Sequence, residues 1–453
     1  MSVASKTTLG LQMSSTSIPP FQPFPSVFPT EIYEDIITLI HEDRDDGRWR
    51  VNLCCCALVS HLWLPWSQRC LYRAIEFTGA SEVDSHRLEI LLRTLRDSPH
   101  LRLCVREFRF REAPLPSQRH YSASWPQKVR LWPVLAAGRL PNLRDLRFTG
   151  GGLRRTFCPH PSSFAALTTF RTVTKLRLAM MGFTFTLFFR MLSCLPSLED
   201  VMIHKLSWDD LDRSFPPQSE SPLRRRTSLR ALRILDRLGL LFGFDCPYTA
   251  DYARCLWQII GSFQMTMNTL SLDSFSLYDL QHHSQELPGA FPILHFPQLH
   301  SLTLGYDVIR QYDHFASPAG LLDFFRRLDM PVLSTVNLVV HLDRDSLEQF
   351  LDGPHPADVF IDPAPDVSAY AIHLSSLRSV NVLYLLCMPS EEPQGLDDSE
   401  ATNDSTASAP DADAGLSARK DLMDRYLIRA KSWLATSPLY RRGILTVRGA
   451  VLG

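Results

Sequence analysis

The sequence predicts an α/β protein in which a small N-terminal block of helices precedes many strands that alternate with helices. An apolar triplet, whose members are separated by three and then two positions, occurs nine times between Val105 and Val382. The segments between most triplets carry apolar residues at helical spacing. The region before them, residues 24–77, shows helical periodicity in short segments, which predicts a small helical module.

Each triplet ends in an apolar–x–apolar pair, the alternation expected of a short strand with one buried side. Successive triplets lie about 34 residues apart on average. The nine triplets are Val105/Phe108/Phe110, Leu143/Leu146/Phe148, Val173/Leu176/Leu178, Leu198/Val201/Ile203, Leu229/Leu232/Ile234, Met267/Leu270/Leu272, Leu299/Leu302/Leu304, Leu333/Val336/Leu338 and Leu377/Val380/Val382. A stricter form, Pro-x-Leu-x-x-apolar-x-apolar, begins at Pro141, Pro196, Pro297 and Pro331.

The intervening segments favour amphipathic helices. They include Leu88/Leu91/Leu92/Leu95, Phe185/Phe188/Phe189/Leu192, Tyr252/Leu256/Ile259/Ile260 and Leu321/Phe324/Phe325/Leu328. A repeated strand, turn and helix is the leucine-rich-repeat unit, although here the period is longer and the usual Asn/Cys position is missing. Because one unit cannot bury its own apolar face, we expect residues 78–390 to stack into an irregular leucine-rich-repeat-like solenoid with parallel strands. An ordinary α/β domain is the alternative.

Three further segments complete the predicted organisation. Residues 1–23 are small, polar and then proline-rich, which predicts a disordered tail. Residues 391–417 form an acidic spacer, predicted to be disordered because it has too few apolar residues to order itself. Residues 418–453 predict a C-terminal helix, with Leu422, Tyr426, Ala430 and Trp433 on one face, and a capping strand over Ile444–Val447.

Composition excludes several function classes. The formal net charge is −1, so no overall field attracts nucleic acid or an anionic membrane. No apolar run approaches the roughly 20 residues of a membrane-spanning helix. Ten scattered cysteines without a C-x-x-C pair favour reduced thiols in the cytoplasm or nucleus. No catalytic, cofactor-binding or metal-binding motif occurs, so we expect a protein that is not an enzyme and uses neither cofactor nor metal.

The N-terminal block predicts three short helices. The segment FPTEIYEDIITLI places Pro29 at a helix start and Ile32, Ile36, Leu39 and Ile40 on one stripe. After a charged loop, the segment LCCCALVSHLWLPWSQRCLYRAIEF supplies two more helices around Ser60. About 50 residues make a very small core, so the block needs a partner, either the following domain or another protein.

These two segments resemble the F-box motif, especially as it occurs in mushroom-forming fungi. The match lies in the Leu-Pro-x-Glu-like opening, with Phe28 in place of leucine, and in the Leu-Val-Ser, tryptophan and closing Leu-aromatic-Arg of the second half. The resemblance implies docking to the Skp adaptor, and through it to a cullin, in an SCF-type ubiquitin ligase. It also implies that the repeats capture a substrate protein. Carried over residue by residue, the adaptor-binding set is Phe28, Pro29, Ile32, Ile36, Ile40, Leu58, Val59 and Trp63.

Two other hypotheses remain open. Trp63 and Leu58 could pack inside the block, which would then belong to a leucine-rich-repeat interaction scaffold with no ligase role. An unrecognised enzyme on an α/β framework would instead require a cluster of polar, titratable side chains in one deep pocket. The identity of the substrate is not encoded in any motif, because a solenoid recognises partners through scattered surface residues.

Overall fold

The computed structural model divides the chain into two compact units, residues 1–71 and residues 72–453. The structure describes residues 29–43, 48–78, 82–111, 131–150, 161–208, 229–235, 250–273, 280, 291–308, 324–325, 327–342, 376–387, 424, 427–428 and 445–452. The predicted tail, the acidic spacer and the apolar face of the predicted C-terminal helix lie outside these residues.

The first unit consists of three short helices. They are α1 (Thr30–Glu42), α2 (Trp49–Val59) and α3 (Leu64–Arg73), whose last two residues belong to the second unit. Glu31 lies in the first turn of α1, where the helix dipole favours a negative charge. Ser60 adopts an extended conformation and ends α2. Its hydroxyl then accepts a hydrogen bond from the Leu62 amide at 3.2 Å, which stabilises the turn into α3.

The second unit is built on one large parallel sheet. Its eleven strands are β1 (Ala74–Thr78), β2 (Glu107–Arg111), β3 (Asp145–Thr149), β4 (Lys175–Phe183), β5 (Asp200–Trp208), β6 (Ala231–Leu235), β7 (Thr269–Leu272), β9 (Ser301–Val308), β11 (Thr335–Leu342), β12 (Ser379–Cys387) and β13 (Leu445–Leu452). They lie side by side in chain order, and every neighbouring pair is parallel. The predicted α/β class with parallel strands is therefore confirmed.

Helices of varied length lie between the strands. Among the described residues they are α4 (Glu82–Asp97), α5 (Pro99–Cys104), α6 (Trp132–Ala136), α7 (Pro161–Leu167), α8 (Phe185–Ser193) and α9 (Ala250–Ser262). Phe188 and Leu192 on α8 and Ile259 and Ile260 on α9 are buried in the same core as the strand residues. The apolar positions of the helical pattern in these segments therefore correspond to the side of each helix that packs on the sheet.

The triplets align in register across the sheet. The second residue of each triplet pairs with the second residue of the next, and the third pairs with the third. Ile75 and Phe77 on β1 extend both rows by one strand. All described members of the two rows are buried. Since parallel strands without a register shift stack equivalent residues, a loose sequence repeat becomes two continuous apolar rows.

Backbone hydrogen bonds repeat at the start of each strand. The Arg106 carbonyl accepts from the amides of Arg144 and Asp145, and the Arg144 carbonyl accepts from those of Thr174 and Lys175. The same pairing continues at every later repeat as far as Arg378 and Ser379. These bonds satisfy backbone groups that would otherwise be buried without partners.

Hydroxyl side chains also link consecutive repeats. Thr172 donates to the Leu143 carbonyl at 2.8 Å, Thr266 to the Leu229 carbonyl at 2.9 Å and Ser376 to the Leu333 carbonyl at 2.8 Å. Each donor comes directly before the first residue of a triplet, and each acceptor is the first residue of the preceding triplet. At these three positions a Ser or Thr hydroxyl thus bonds the backbone just before the preceding strand.

Two sequence predictions differ from the structure. The helical spacing predicts a helix that includes Leu328, but this residue lies in β10 (Leu328–Asp329), which pairs in parallel with β8 (Leu294–His295) in a small second sheet. Leu294 and Leu328 are both buried, and the short sheet gives this segment backbone partners. The Leu294 amide donates to the Arg327 carbonyl at 2.9 Å, and the Phe296 amide donates to the Asp329 carbonyl at 2.7 Å. The last strand begins at Leu445 and runs to Leu452, beyond the predicted Val447, because β12 offers it eight paired positions.

Gly150 marks a tight approach between neighbouring repeats. Its amide donates to the Ala179 carbonyl at 2.8 Å. A Cβ atom at this position would lie 2.2 Å from the carbonyl oxygen of Met180, which itself has a positive φ of 54°. Only glycine fits there without a shift of the backbone.

We expect Gly150→Ala to lower the free energy of unfolding by about 2 kcal/mol or more, because the added methyl group overlaps backbone. The matched control is Gly138→Ala. Gly138 has a φ of 68° but open space where an added Cβ would lie, so only the backbone penalty of about 1 kcal/mol applies. Urea unfolding of the full chain measures both values. Equal losses in the two variants would contradict the proposed close approach.

Candidate docking surfaces

The helical unit leaves many large apolar side chains exposed. Its described buried hydrophobic residues are only Ile37, Leu53 and Cys56. Eight large hydrophobic residues of the same unit are exposed: Ile32, Ile36, Leu39, Val51, Leu58, Val59, Leu62 and Leu64. A single exposed leucine is ordinary, but so many in about 40 residues indicate an interaction surface.

The exposed residues of α1 form one stripe. At about 100° per residue, Ile32, Ile36 and Leu39 fall within about 60° of one another on the helix. The buried Ile37 and His41 lie about 150° away and pack towards α2, where the His41 and Trp49 rings meet with centroids 5.4 Å apart. Helix α1 therefore has two apolar sides, and one of them is not covered by α2.

The exposed residues of α2 lie opposite its buried side. Leu53 and Cys56 face α1, whereas Val51 and Leu58 project from the other side of the helix. Three consecutive cysteines cannot all face one direction on a helix, so Cys54 and Cys55 are exposed while Cys56 is buried. Burial raises the pKa of the Cys56 thiol, and the neighbouring Cys55 adds to the shift.

The predicted adaptor-binding residues differ in their surroundings. Phe28 lies outside the described residues. Pro29 is exposed at the start of α1, and its carbonyl accepts from the Ile32 amide at 3.1 Å. Ile32 and Ile36 are 42% and 39% exposed, and Leu58 and Val59 are 87% and 68% exposed.

Ile40 and Trp63 are half-buried. The Trp63 ring lies against Tyr33 of α1, with ring centroids 5.4 Å apart. This contact brings the turn after Val59 beside the N-terminal half of α1. Trp63 therefore helps to hold the helices together, whereas Leu58 and Val59 make no comparable contribution to the core.

The large sheet presents a second surface on the side opposite its apolar rows. Between the second and third residues of each triplet lies one side chain that faces away from the core and is at least partly exposed. From β2 to β12 these residues are Arg109, Arg147, Arg177, Met202, Arg233, Ser271, Thr303, Asn337 and Asn381. We call this side of the sheet the outer face. The triplet pattern does not name these residues, although their position between two apolar anchors predicts that they face away from the core.

Hydrogen bonds connect the uncharged half of the outer face. The side-chain amide of Asn381 donates to Asn337 Oδ1 at 2.8 Å, and the side-chain amide of Asn337 donates to Thr303 Oγ1 at 3.2 Å. The three residues lie on neighbouring strands, β12, β11 and β9. A side-chain ladder of this kind fixes rotamers across strands and stabilises the register.

Ion pairs connect the charged half. Glu107 Oε1 lies 2.7 Å from Arg109 Nε and also contacts Arg147 Nε. Asp145 Oδ2 lies 3.0 Å from Arg147 Nη2 and 3.5 Å from Arg177 Nη2. Burial works against ionisation of Glu107, but the hydrogen bond from Arg109 and the nearby guanidinium charges outweigh it and lower the pKa of this carboxyl. The hydrogen bond to Glu107 in turn raises the pKa of Arg109.

The described part of the chain offers no metal centre, since no three His, Cys, Asp or Glu residues there converge on a common point. None of its helices is long and apolar enough to cross a membrane.

No protein-family model matches the chain, and no curated protein matches it.

We predict that Glu107→Gln destabilises the chain in a pH-dependent way. A folded-state pKa below the unfolded value of about 4.3 gives a stabilising contribution that is present above that pH and is lost as the pH falls through the folded pKa. The difference in unfolding free energy between wild type and variant should thus be steady from pH 7 to 5 and shrink below about 4.3. Urea unfolding at a series of pH values measures it.

Asp97→Asn on α4 is the control, because its carboxylate pairs with Arg93 and Arg96 at a well-exposed site where ion pairs contribute little. A Glu107→Gln difference that stayed constant down to pH 3 would show that the carboxylate charge is not what stabilises the outer face.

Proposed function

We propose that the chain is an F-box-type substrate adaptor of an SCF ubiquitin ligase. In this proposal the helical unit docks to the Skp adaptor, and the strand-and-helix repeats form a leucine-rich-repeat-like solenoid that binds a substrate protein. The chain makes and breaks no bonds. It acts by proximity, because binding both partners raises the effective concentration of substrate near the ubiquitin-conjugating enzyme.

The observation that carries the proposal is the exposed apolar surface of the helical unit. The exposed residues include Ile32, Ile36, Leu58 and Val59, which occupy positions of the F-box-like motif. Full burial of one such aliphatic side chain in a partner contributes about 1.5–3 kcal/mol. A helix that binds a groove on another protein does so through exposed apolar residues at helical spacing.

The in-register parallel sheet supports the second half of the proposal. Parallel strands that neighbour one another in chain order are what stacked repeats produce. Such stacking places equivalent side chains of successive strands in rows on the outer face, at the strand spacing of about 4.8 Å. A surface of this kind suits recognition of an extended segment of another protein.

The test is capture of purified Skp adaptor by the full chain. We expect Leu58→Asp/Val59→Asp to reduce binding at least about tenfold, because each change places a charge in an apolar contact. These residues suit the test better than Trp63, whose loss would also remove its packing on Tyr33. Pro29→Ala offers a milder change within the same motif.

The matched control is Ile90→Asp/Leu103→Asp, which makes the same chemical change at two exposed residues of the second unit. It should bind adaptor as the wild type does, with circular dichroism confirming that all variants fold. A folded wild type that fails to bind adaptor would favour the interaction scaffold without a ligase role. Equal weakening by both double variants would sink the assignment of the docking site.

A further inference from the structure

At the position between the second and third residues of each triplet, the outer face carries charged side chains only from β2 to β6. Arg109, Arg147 and Arg177 pair in register on β2, β3 and β4. We call these three residues the arginine row. Two strand spacings of about 4.8 Å make the row about 10 Å long. Beyond β6 the same position holds Ser271, then Thr303 and two asparagines, none of which is charged.

Carboxylates hold the arginine row in place. Glu107 lies between Arg109 and Arg147, and Asp145 lies between Arg147 and Arg177. A third carboxylate, Glu76 on β1, pairs in register with Arg109, so the row alone carries no surplus charge. Each guanidinium has five N–H donors. The contacts of Arg109 with Glu107 use only its Nε atom. The row therefore keeps spare donors on side chains whose positions are already restricted, and the surplus positive charge comes from the basic residues beside it.

Further basic residues surround the row. Arg111 on β2 and Lys175 on β4 are exposed, and Arg233 on β6 pairs with Asp200 at 3.4 Å. From β1 to β6 the described outer positions hold six basic and four acidic side chains. They are Arg109, Arg111, Arg147, Lys175, Arg177 and Arg233 against Glu76, Glu107, Asp145 and Asp200. A chain with a net charge of −1 thus concentrates positive charge on this part of the sheet.

We propose that the outer face of β2–β6 binds an acidic peptide segment of a partner protein, in extended conformation. Calling that partner the ubiquitination substrate rests on the function proposed above, but the binding itself does not require the adaptor. Same-side residues of an extended peptide lie about 6.8 Å apart, so two or three carboxylates would span the arginine row. Each would accept from guanidinium groups that ion pairs have already oriented.

The layout favours distributed carboxylates over other anions. A single phosphate is compact and requires arginines that converge, whereas these three are spread along a line and separated by acidic side chains. A nucleic-acid strand binds through basic grooves with aromatic side chains on which bases stack. The described outer positions of β2–β6 carry no Phe, Tyr or Trp on which bases could stack.

The test is fluorescence anisotropy of a labelled octaglutamate peptide titrated with the full chain, without adaptor. We expect saturable binding that weakens as salt is raised, because the contacts are partly exposed charges. Arg111→Gln/Arg177→Gln should weaken the affinity about fivefold or more. An octaglutamine peptide should not bind measurably. Asp145 keeps its contact with Arg147 in this variant, so the sheet retains most of its ion pairs.

Arg93→Gln/Arg96→Gln is the control, since it removes the same charge from the exposed side of α4. It should leave octaglutamate binding unchanged, as should Leu58→Asp/Val59→Asp, whose target is adaptor docking. Arg111→Glu alone, at an exposed side chain, gives a second measure if Arg177→Gln unfolds. Equal weakening by both arginine doubles would overturn the proposal. So would tighter binding of a monophosphorylated neutral peptide or of a short oligouridylate.

Discussion

Two apolar rows that cross the sheet are the constraint on which the rest of the second unit depends. Each strand contributes one residue to each row, as Leu270 and Leu272 do on β7. A slip of one residue in any strand would move both of its apolar side chains to the outer face and a polar one into the core. The register is therefore specified by burial at every repeat, and the loops can vary in length without disturbing it.

Hydrogen bonds at the strand starts follow from this register. Once the strands are aligned, Thr172, Thr266 and Ser376, each just before a first anchor, donate to the backbone of the preceding triplet. The outer face is also aligned, so that Asn381, Asn337 and Thr303 bond to one another. Packing on one side of the sheet thus organises polar chemistry on the other.

The two units differ in how much of their apolar surface they bury internally. The sheet buries its anchors against its own helices, as with Phe108 stacked on Trp132 at a centroid distance of 4.7 Å. The helical unit has little core and keeps Leu58 and Val59 in solvent. Because exposure of such residues to water is unfavourable, its surface is the one most in need of a partner among the described residues. The charged end of the outer face differs in kind, since charges there select a partner more than they drive association.

Periodicity alone determined the α/β class, the nine triplet strands and the helices α4, α8 and α9, because burial of one side leaves a fixed spacing in the chain. The exposed Ile32 and Leu58 could be named as candidate anchors from the F-box-like pattern, but the pattern does not distinguish them from Trp63, which packs on Tyr33. Only the tertiary structure placed Leu328 in a strand, β10, that pairs with β8 opposite Leu294. It alone placed Arg109, Arg147 and Arg177 side by side, because residues about 30 to 40 positions apart become neighbours only when the strands align.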